Sequence, residues 1–299
     1  MSWQLRLLNA QLRWLAKPHL ARTPGPAEAD RDLRRSARLF LRQPPYLRHV
    51  IRPGGLHWIS AGPCRDRKVI LYFHGGGYVS GAPETHRGPV ARLSLLSAVE
   101  VCLPVYCLAQ DAALPAAFDD ALSAYRALLA LGYAPRDIVL GGDSAGGGLA
   151  LALLAWCCGA GLTPAGAFAF SPWTDLARTA PSLVENARAD PMLTVARIAE
   201  LIDICLAGHD PRDPRVSPLY ADFPGAPPVR LSVGLTEILR DDTLRMAARL
   251  EQFGAQVTVE TQATAPHVWP LLDGWIPEAR ATLRRTAGFV QSLLDDTSR

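Results

Sequence analysis

The sequence predicts an α/β fold in which a mostly parallel sheet is covered on both faces by helices. Three observations carry this. Short apolar runs, too short for helices and bounded by glycine or turn residues, recur from residue 69 onward. Helix-length segments separate them, which is the alternation a parallel sheet needs for its crossovers. One interval, 175–215, breaks that alternation with Pro181, Pro191, Pro211 and Pro214 around a helical segment from Thr194 to Leu206. A helical insertion between two sheet strands is a natural lid over a site.

The elements follow in order. Trp3, Leu7, Leu8, Leu12, Trp14 and Leu15 recur at helical spacing, with Arg6, Arg13 and Lys17 on other faces. This predicts an amphipathic helix that packs its apolar stripe on its own protein, with a membrane surface as the lesser alternative. Residues 18–66 are Pro- and Arg-rich with few apolar runs. They read as a polar helix, carrying Arg31, Arg34, Arg35, Arg38 and Arg42, and surface loops. Strands are predicted at 69–73 and 99–106, then a helix at 115–131 with Phe118, Leu122, Tyr125 and Leu129 on one face. A strand at 137–140 runs into an apolar, glycine-containing helix at 145–158. Strands at 165–170 and 229–233, a helix at 242–253, a strand at 256–261 and a closing helix at 283–294 complete the order.

Composition narrows the function classes. Hydrophobic residues make up 49% of the 299 residues and charged residues 20%, which excludes a disordered chain. A net charge of +3 is too small for nucleic-acid binding as the main business. No apolar run approaches the roughly 18 to 20 residues of a membrane span, so stable membrane insertion is not expected. Burial of roughly 75% of the unfolded surface at this length makes a disulfide or metal staple unnecessary. Cys64, Cys102, Cys107, Cys157, Cys158 and Cys205 form no CxxC pair, which suits reduced thiols and a cytoplasmic location.

Two motifs carry chemistry. Gly142-Asp143-Ser144-Ala145-Gly146 sits between a strand and a helix, the setting of a G-x-S-x-G nucleophile elbow. Small residues at 142 and 146 fit a sharp turn that projects Ser144 over the C-terminal edge of the sheet. His74-Gly75-Gly76-Gly77-Tyr78 leaves the end of the first buried strand. Acyl transfer passes through an oxyanion, and glycine backbone can bring N–H donors close to it. Gly75, Gly76, Gly77 and the Ala145 N–H are therefore the oxyanion-hole candidates. His74 reads as a residue that positions this loop.

A base and an orienting acid must follow the serine. Of His19, His49, His57, His74, His86, His209 and His267, only the last two do. His209 lies in a polar Asp/Pro/Arg segment that reads as surface. His267 follows the last strand and is the expected base. The acid lies in Gly234–Asp242. Glu237 is nearest the strand end and is favoured over Asp241; Asp241 and Asp242 open a helix, where carboxylates are favoured without catalysis.

These motifs, in this order, resemble the hormone-sensitive-lipase-like family of α/β-hydrolases, the bacterial HGGG/GDSAGG esterases. Tyr106-Cys107-Leu108-Ala109 with Leu114-Pro115-Ala116-Ala117, Ser171-Pro172-Trp173-Thr174-Asp175 and Asp213–Leu219 extend the likeness over about 69–295. The resemblance implies an α/β-hydrolase fold with a helical cap made of residues 1–45 and 175–215. The core would then be 46–174 and 216–299. It implies a serine carboxylesterase acting on short- to medium-chain acyl esters, with no cofactor or metal. Where the family commonly has Asp, this chain has Glu237; Cys107 and Gln110-Asp111 replace the family's Arg and Pro-Glu. An amide- or peptide-cleaving hydrolase and a ligand receptor on the same scaffold are the competing readings. A homodimer through the edge strand 256–261 or the closing helix is a further expectation.

Overall fold

The computed structural model of the chain describes residues 1–295. The final four residues of the expected core segment 216–299 lie outside the described residues.

Eight strands form one sheet in the order β1-β2-β4-β3-β5-β6-β7-β8. They are β1 (Leu47–Arg52), β2 (Leu56–Ala61), β3 (Val69–Phe73), β4 (Glu100–Pro104), β5 (Ile138–Asp143), β6 (Gly166–Phe170), β7 (Val229–Gly234) and β8 (Val257–Gln262). From β4 to β8 every neighbouring pair is parallel. Alternation along each strand feeds two cores. Val69, Leu71 and Phe73 point to one face with Leu140, Ala169 and Leu231. Ile70 and Tyr72 point to the other with Val139, Phe168 and Phe170. The first face is covered by α5 (Ala116–Ala130), α6 (Ser144–Gly159) and α9 (Arg240–Gln252); the second by α4 (Pro83–Ser97) and α10 (Pro277–Asp295). α6 is apolar on most of its circumference, as a helix buried on several sides must be, and Leu149, Leu151, Leu153 and Leu154 are fully buried.

Two regions differ from the sequence expectation. Residues 47–61 are a hairpin of β1 and β2, antiparallel to each other, with β2 antiparallel to β4. β1 is an edge strand whose Arg48, His49 and Arg52 break the apolar pattern. β2 is buried throughout, with Trp58 under the Arg52 guanidinium at 4.4 Å. α4 is likewise absent from the sequence reading. Pro83 opens it, and Gly88 and Pro89 interrupt its helical signal at a place where Arg42 backbone passes close to Gly88.

Helices α1 (Trp3–Gln11), α2 (Lys17–Arg22) and α3 (Pro26–Phe40) precede the sheet, with a wider π-type stretch at Leu12–Ala16. α7 (Ser182–Glu185) and α8 (Val195–Leu206) lie between β6 and β7. The two groups meet: Arg13 and Lys17 donate to the carbonyls of Ala189 (2.7 Å), Ala187 (3.0 Å) and Asp190 (2.7 Å). The expected apolar stripe of residues 3–15 does not pack as a whole. Leu5 is buried, whereas Trp3, Leu7, Trp14 and Leu15 are exposed.

Register decides where the chemistry sits. Phe73 pairs with Gly142, Asp143 with Phe170, and Phe170 with Ser232. The loops after β3, β5, β6, β7 and β8 therefore leave one edge of the sheet side by side.

Candidate active site

Ser144 is the hinge between β5 and α6. Its φ of 52° is left-handed, a strained conformation for a residue with a Cβ. The turn closes only on glycine. A Cβ on Gly142 would lie 2.3 Å from the Gly146 carbonyl oxygen, and one on Gly146 would lie 2.2 Å from that of Phe73. The Ser144 carbonyl accepts from Trp173 N–H at 3.0 Å, which ties the elbow to the loop after β6.

His267 Nε2 stands 2.8 Å from Ser144 Oγ, and its Nδ1 stands 2.7 Å from Glu237 Oε2. Sequence reasoning named these three residues, and the structure brings them into one hydrogen-bonded chain. Asp241, the alternative acid, is turned away. Its Oδ2 accepts from Ser182 N–H at 2.8 Å and its Oδ1 from Arg240 at 2.7 Å. Asp242 is buried and accepts from Thr174 and Asp175 N–H, both at 2.9 Å. His209 is exposed in the turn after α8.

Burial pulls the His267 imidazolium down. The hydrogen bond and charge of Glu237, with Asp190 and Asp143 further off, outweigh it, and the net position is above the ordinary 6.5. A cation on this ring is thus stabilised where it would form during proton transfer.

The glycine loop after β3 is fixed from behind. Asp143, buried beside Ser144, accepts Tyr72 O–H at 2.8 Å and Gly75 N–H at 3.1 Å, and faces His86 Nε2 at 3.4 Å. Burial alone would push its carboxyl up; His86 and Tyr72 hold it below the usual carboxylate range. Gly75, one of the expected oxyanion-hole glycines, thus has its N–H on Asp143. Gly76 and Gly77 have positive φ, 128° and 64°, and among the described residues their N–H groups carry no hydrogen bond. Ala145 N–H lies in the first turn of α6, where helix geometry supplies no partner. His74 supports the loop: its Nδ1 lies 2.9 Å from the Gly75 carbonyl oxygen and its ring stacks on Tyr106 at 4.4 Å. Burial and the neighbouring His86 push His74 down to about 3, so it stays neutral at ordinary pH.

The α/β hydrolase fold family matches residues 70–271. This chain belongs to it. An acetyl-hydrolase of Streptomyces hygroscopicus is 35% identical over 237 residues, 79% of each chain. An esterase of Acinetobacter venetianus is 33% identical over 290 residues, 96% of this chain and 94% of that one. The crystal structure of an esterase from the bacterial hormone-sensitive lipase family superposes with a TM-score of 0.91 at 33% identity, covering 98% of this chain and 99% of that one. The protein is a carboxylic-ester hydrolase of the hormone-sensitive-lipase-like kind.

In this hydrolase a set of residues that sequence reasoning did not single out braces Glu237 and its loop. Ser171, at φ 46°, donates to Glu237 Oε1 at 2.8 Å and accepts Val268 N–H at 3.2 Å, so it ties Glu237 to the residue after His267. Gly234 N–H donates to the same Oε1 at 2.6 Å. Asn186 Nδ2 donates to the carbonyl of Glu237 at 2.8 Å, and Asp190 Oδ2 accepts Ile238 N–H at 2.9 Å. These partners lie 48 to 66 positions from the 237–238 loop, or in one case three. Ser171 was visible only as part of the Ser-Pro-Trp-Thr-Asp segment.

Proposed function

We propose that the protein hydrolyses short- to medium-chain acyl esters through a covalent acyl-enzyme. The observation that carries this is the unbroken chain from Ser144 Oγ through His267 to Glu237, at 2.8 Å and 2.7 Å. His267 Nε2 takes the Ser144 proton as Oγ attacks the ester carbonyl. The resulting oxyanion is held by the N–H groups of Gly76, Gly77 and Ala145. Collapse breaks the bond to the alcohol, whose oxygen takes the proton from His267. Water then attacks the acyl-enzyme by the same route and releases the acid. Glu237 fixes the imidazole tautomer and stabilises its cation. Ser171 and Gly234 hold the far oxygen of Glu237 and leave the near one on His267, which supports this role for a Glu at the position.

Residues 1–45 and 175–215 are read as a helical cap whose loops select the acyl and alcohol groups. Their joining through Arg13, Lys17 and the 187–190 segment supports a single unit.

Replacement of Ser144 by Ala is expected to abolish hydrolysis of a short p-nitrophenyl ester while the far-ultraviolet circular dichroism stays that of the parent. Turnover retained in that variant rules the mechanism out.

A further inference from the structure

Helix α1 is held by one side and bare on the other. Its inward side is pinned at several points. Ser2 N–H and O–H donate to Glu278 at 2.6 Å and 2.8 Å, and Asn9 Nδ2 donates to the Thr264 carbonyl at 2.7 Å. Leu5 is buried between these contacts. The outward side of α1 carries Trp3, Leu7 and Ala10, which recur every three or four residues and so share one face, and the π-type stretch that continues it carries Trp14. Trp3 is 69% exposed, Leu7 52%, Trp14 81% and the adjoining Leu15 69%. Two tryptophans this open on a fixed helix are not a by-product of loose packing, because the helix cannot roll to bury them.

Within the segment that carries this face the charge is of one sign. Residues 1–27 contain Arg6, Arg13, Lys17 and Arg22 and no acidic residue; the first is Glu28. Arg6 and Arg13 sit seven positions apart on the flank of the apolar face, both exposed. A second copy of the same face would meet it with like charge. An anionic lipid surface meets it with opposite charge, and it takes up indole and leucine side chains at the depth where the arginines reach its phosphates.

We propose that α1 is a lipid-docking helix that adsorbs the enzyme, reversibly and in the interface plane, onto anionic phospholipid surfaces. No spanning segment is involved, and among the described residues no helix is long and apolar enough to cross a membrane.

The test is co-sedimentation of the full chain with vesicles of phosphatidylcholine alone and of an equal mixture with phosphatidylglycerol. The parent protein partitions onto the mixed vesicles about tenfold or more tightly than onto the neutral ones, and added salt weakens it. Tryptophan emission shifts to the blue on binding. Trp3→Ser with Trp14→Ser lowers partition by about tenfold or more, and Arg6→Gln reduces the preference for the anionic lipid. Far-ultraviolet circular dichroism and the thermal unfolding midpoint of both variants stay those of the parent, which shows them folded. The proposal is overturned if the parent stays in the supernatant with both vesicle types, or if partition survives loss of both tryptophans. It is equally overturned if light scattering finds a dimer that those substitutions dissolve while no vesicle binding occurs, since the face then meets a second copy.

Discussion

His267 is where the local electrostatics have a measurable consequence. Its folded pKa lies above the ordinary 6.5, with burial opposing and Glu237 prevailing. In the proposed mechanism the base works only when neutral, so kcat/KM is expected to fall as pH drops through that raised value, with the midpoint of the acid limb above 6.5. The same shift affects stability with a definite sign. A raised folded pKa contributes stability that is complete below the unfolded value and is lost as pH rises through the folded one. Glu237→Gln removes the charge but keeps the shape. It is expected to lower kcat by about a thousandfold or more and to move the acid limb to lower pH, both read from a pH–rate series. Ser171→Ala removes the donor on Glu237 Oε1 and the acceptor of Val268 N–H. An unpaired buried group costs about 1–3 kcal/mol, which corresponds to a drop of about five- to a hundred-and-fiftyfold in kcat if the geometry loosens; a change confined to KM would contradict this. At this scale Ser144, His267 and Glu237 were legible in the sequence, because motif, chain order and closeness to a strand end single them out. Ser171, Asn186 and Asp190 were not, because their contacts with the Glu237 loop close only when distant segments meet.

At the scale of elements, the elbow depends on close backbone approach. Gly146 has the Phe73 and His74 carbonyl oxygens at 2.2 Å and 2.3 Å from where a Cβ would stand. Neither oxygen can retreat without disturbing the strand that launches the glycine loop. Gly146→Ala is therefore expected to lower stability by about 1–3 kcal/mol, measured by urea unfolding, with a loss of activity larger than the stability loss explains. Buried parallel strands announce themselves as unbroken apolar runs, and β3, β5, β6 and β7 fall within a few residues of their sequence-predicted bounds. β1 does not, because an edge strand answers to solvent on one side and its Arg and His residues hide the pattern. α4 escapes notice because Pro83, Gly88 and Pro89 serve its packing and not its propensity. The difference among the glycines is of the same kind: three successive glycines look equivalent until Asp143 is seen to take the N–H of Gly75.

For the whole molecule, the sheet aligns five loop origins along one edge, and residues from all five take part in the site. Ser144 comes from the β5 turn, Gly76 and Gly77 from the β3 loop, Ser171 from the β6 loop, Glu237 from the β7 loop and His267 from the β8 loop. The N-terminal helices reach the same region through Lys17 and Asn9, which touch the segments bracing Glu237 and preceding His267. Such a division leaves a rigid sheet to hold the reacting groups and helices outside it to vary with substrate. The nucleophile is the claim on which the remaining assignments depend. A fluorophosphonate reacts with an activated serine and leaves a stable adduct, so peptide mass spectrometry after labelling reads the site directly. The adduct is expected on the peptide bearing Ser144, one per chain, and absent when His267 is replaced by Ala. An unmodified Ser144 in active enzyme, or an adduct on another residue that tracks the loss of activity, would contradict the account.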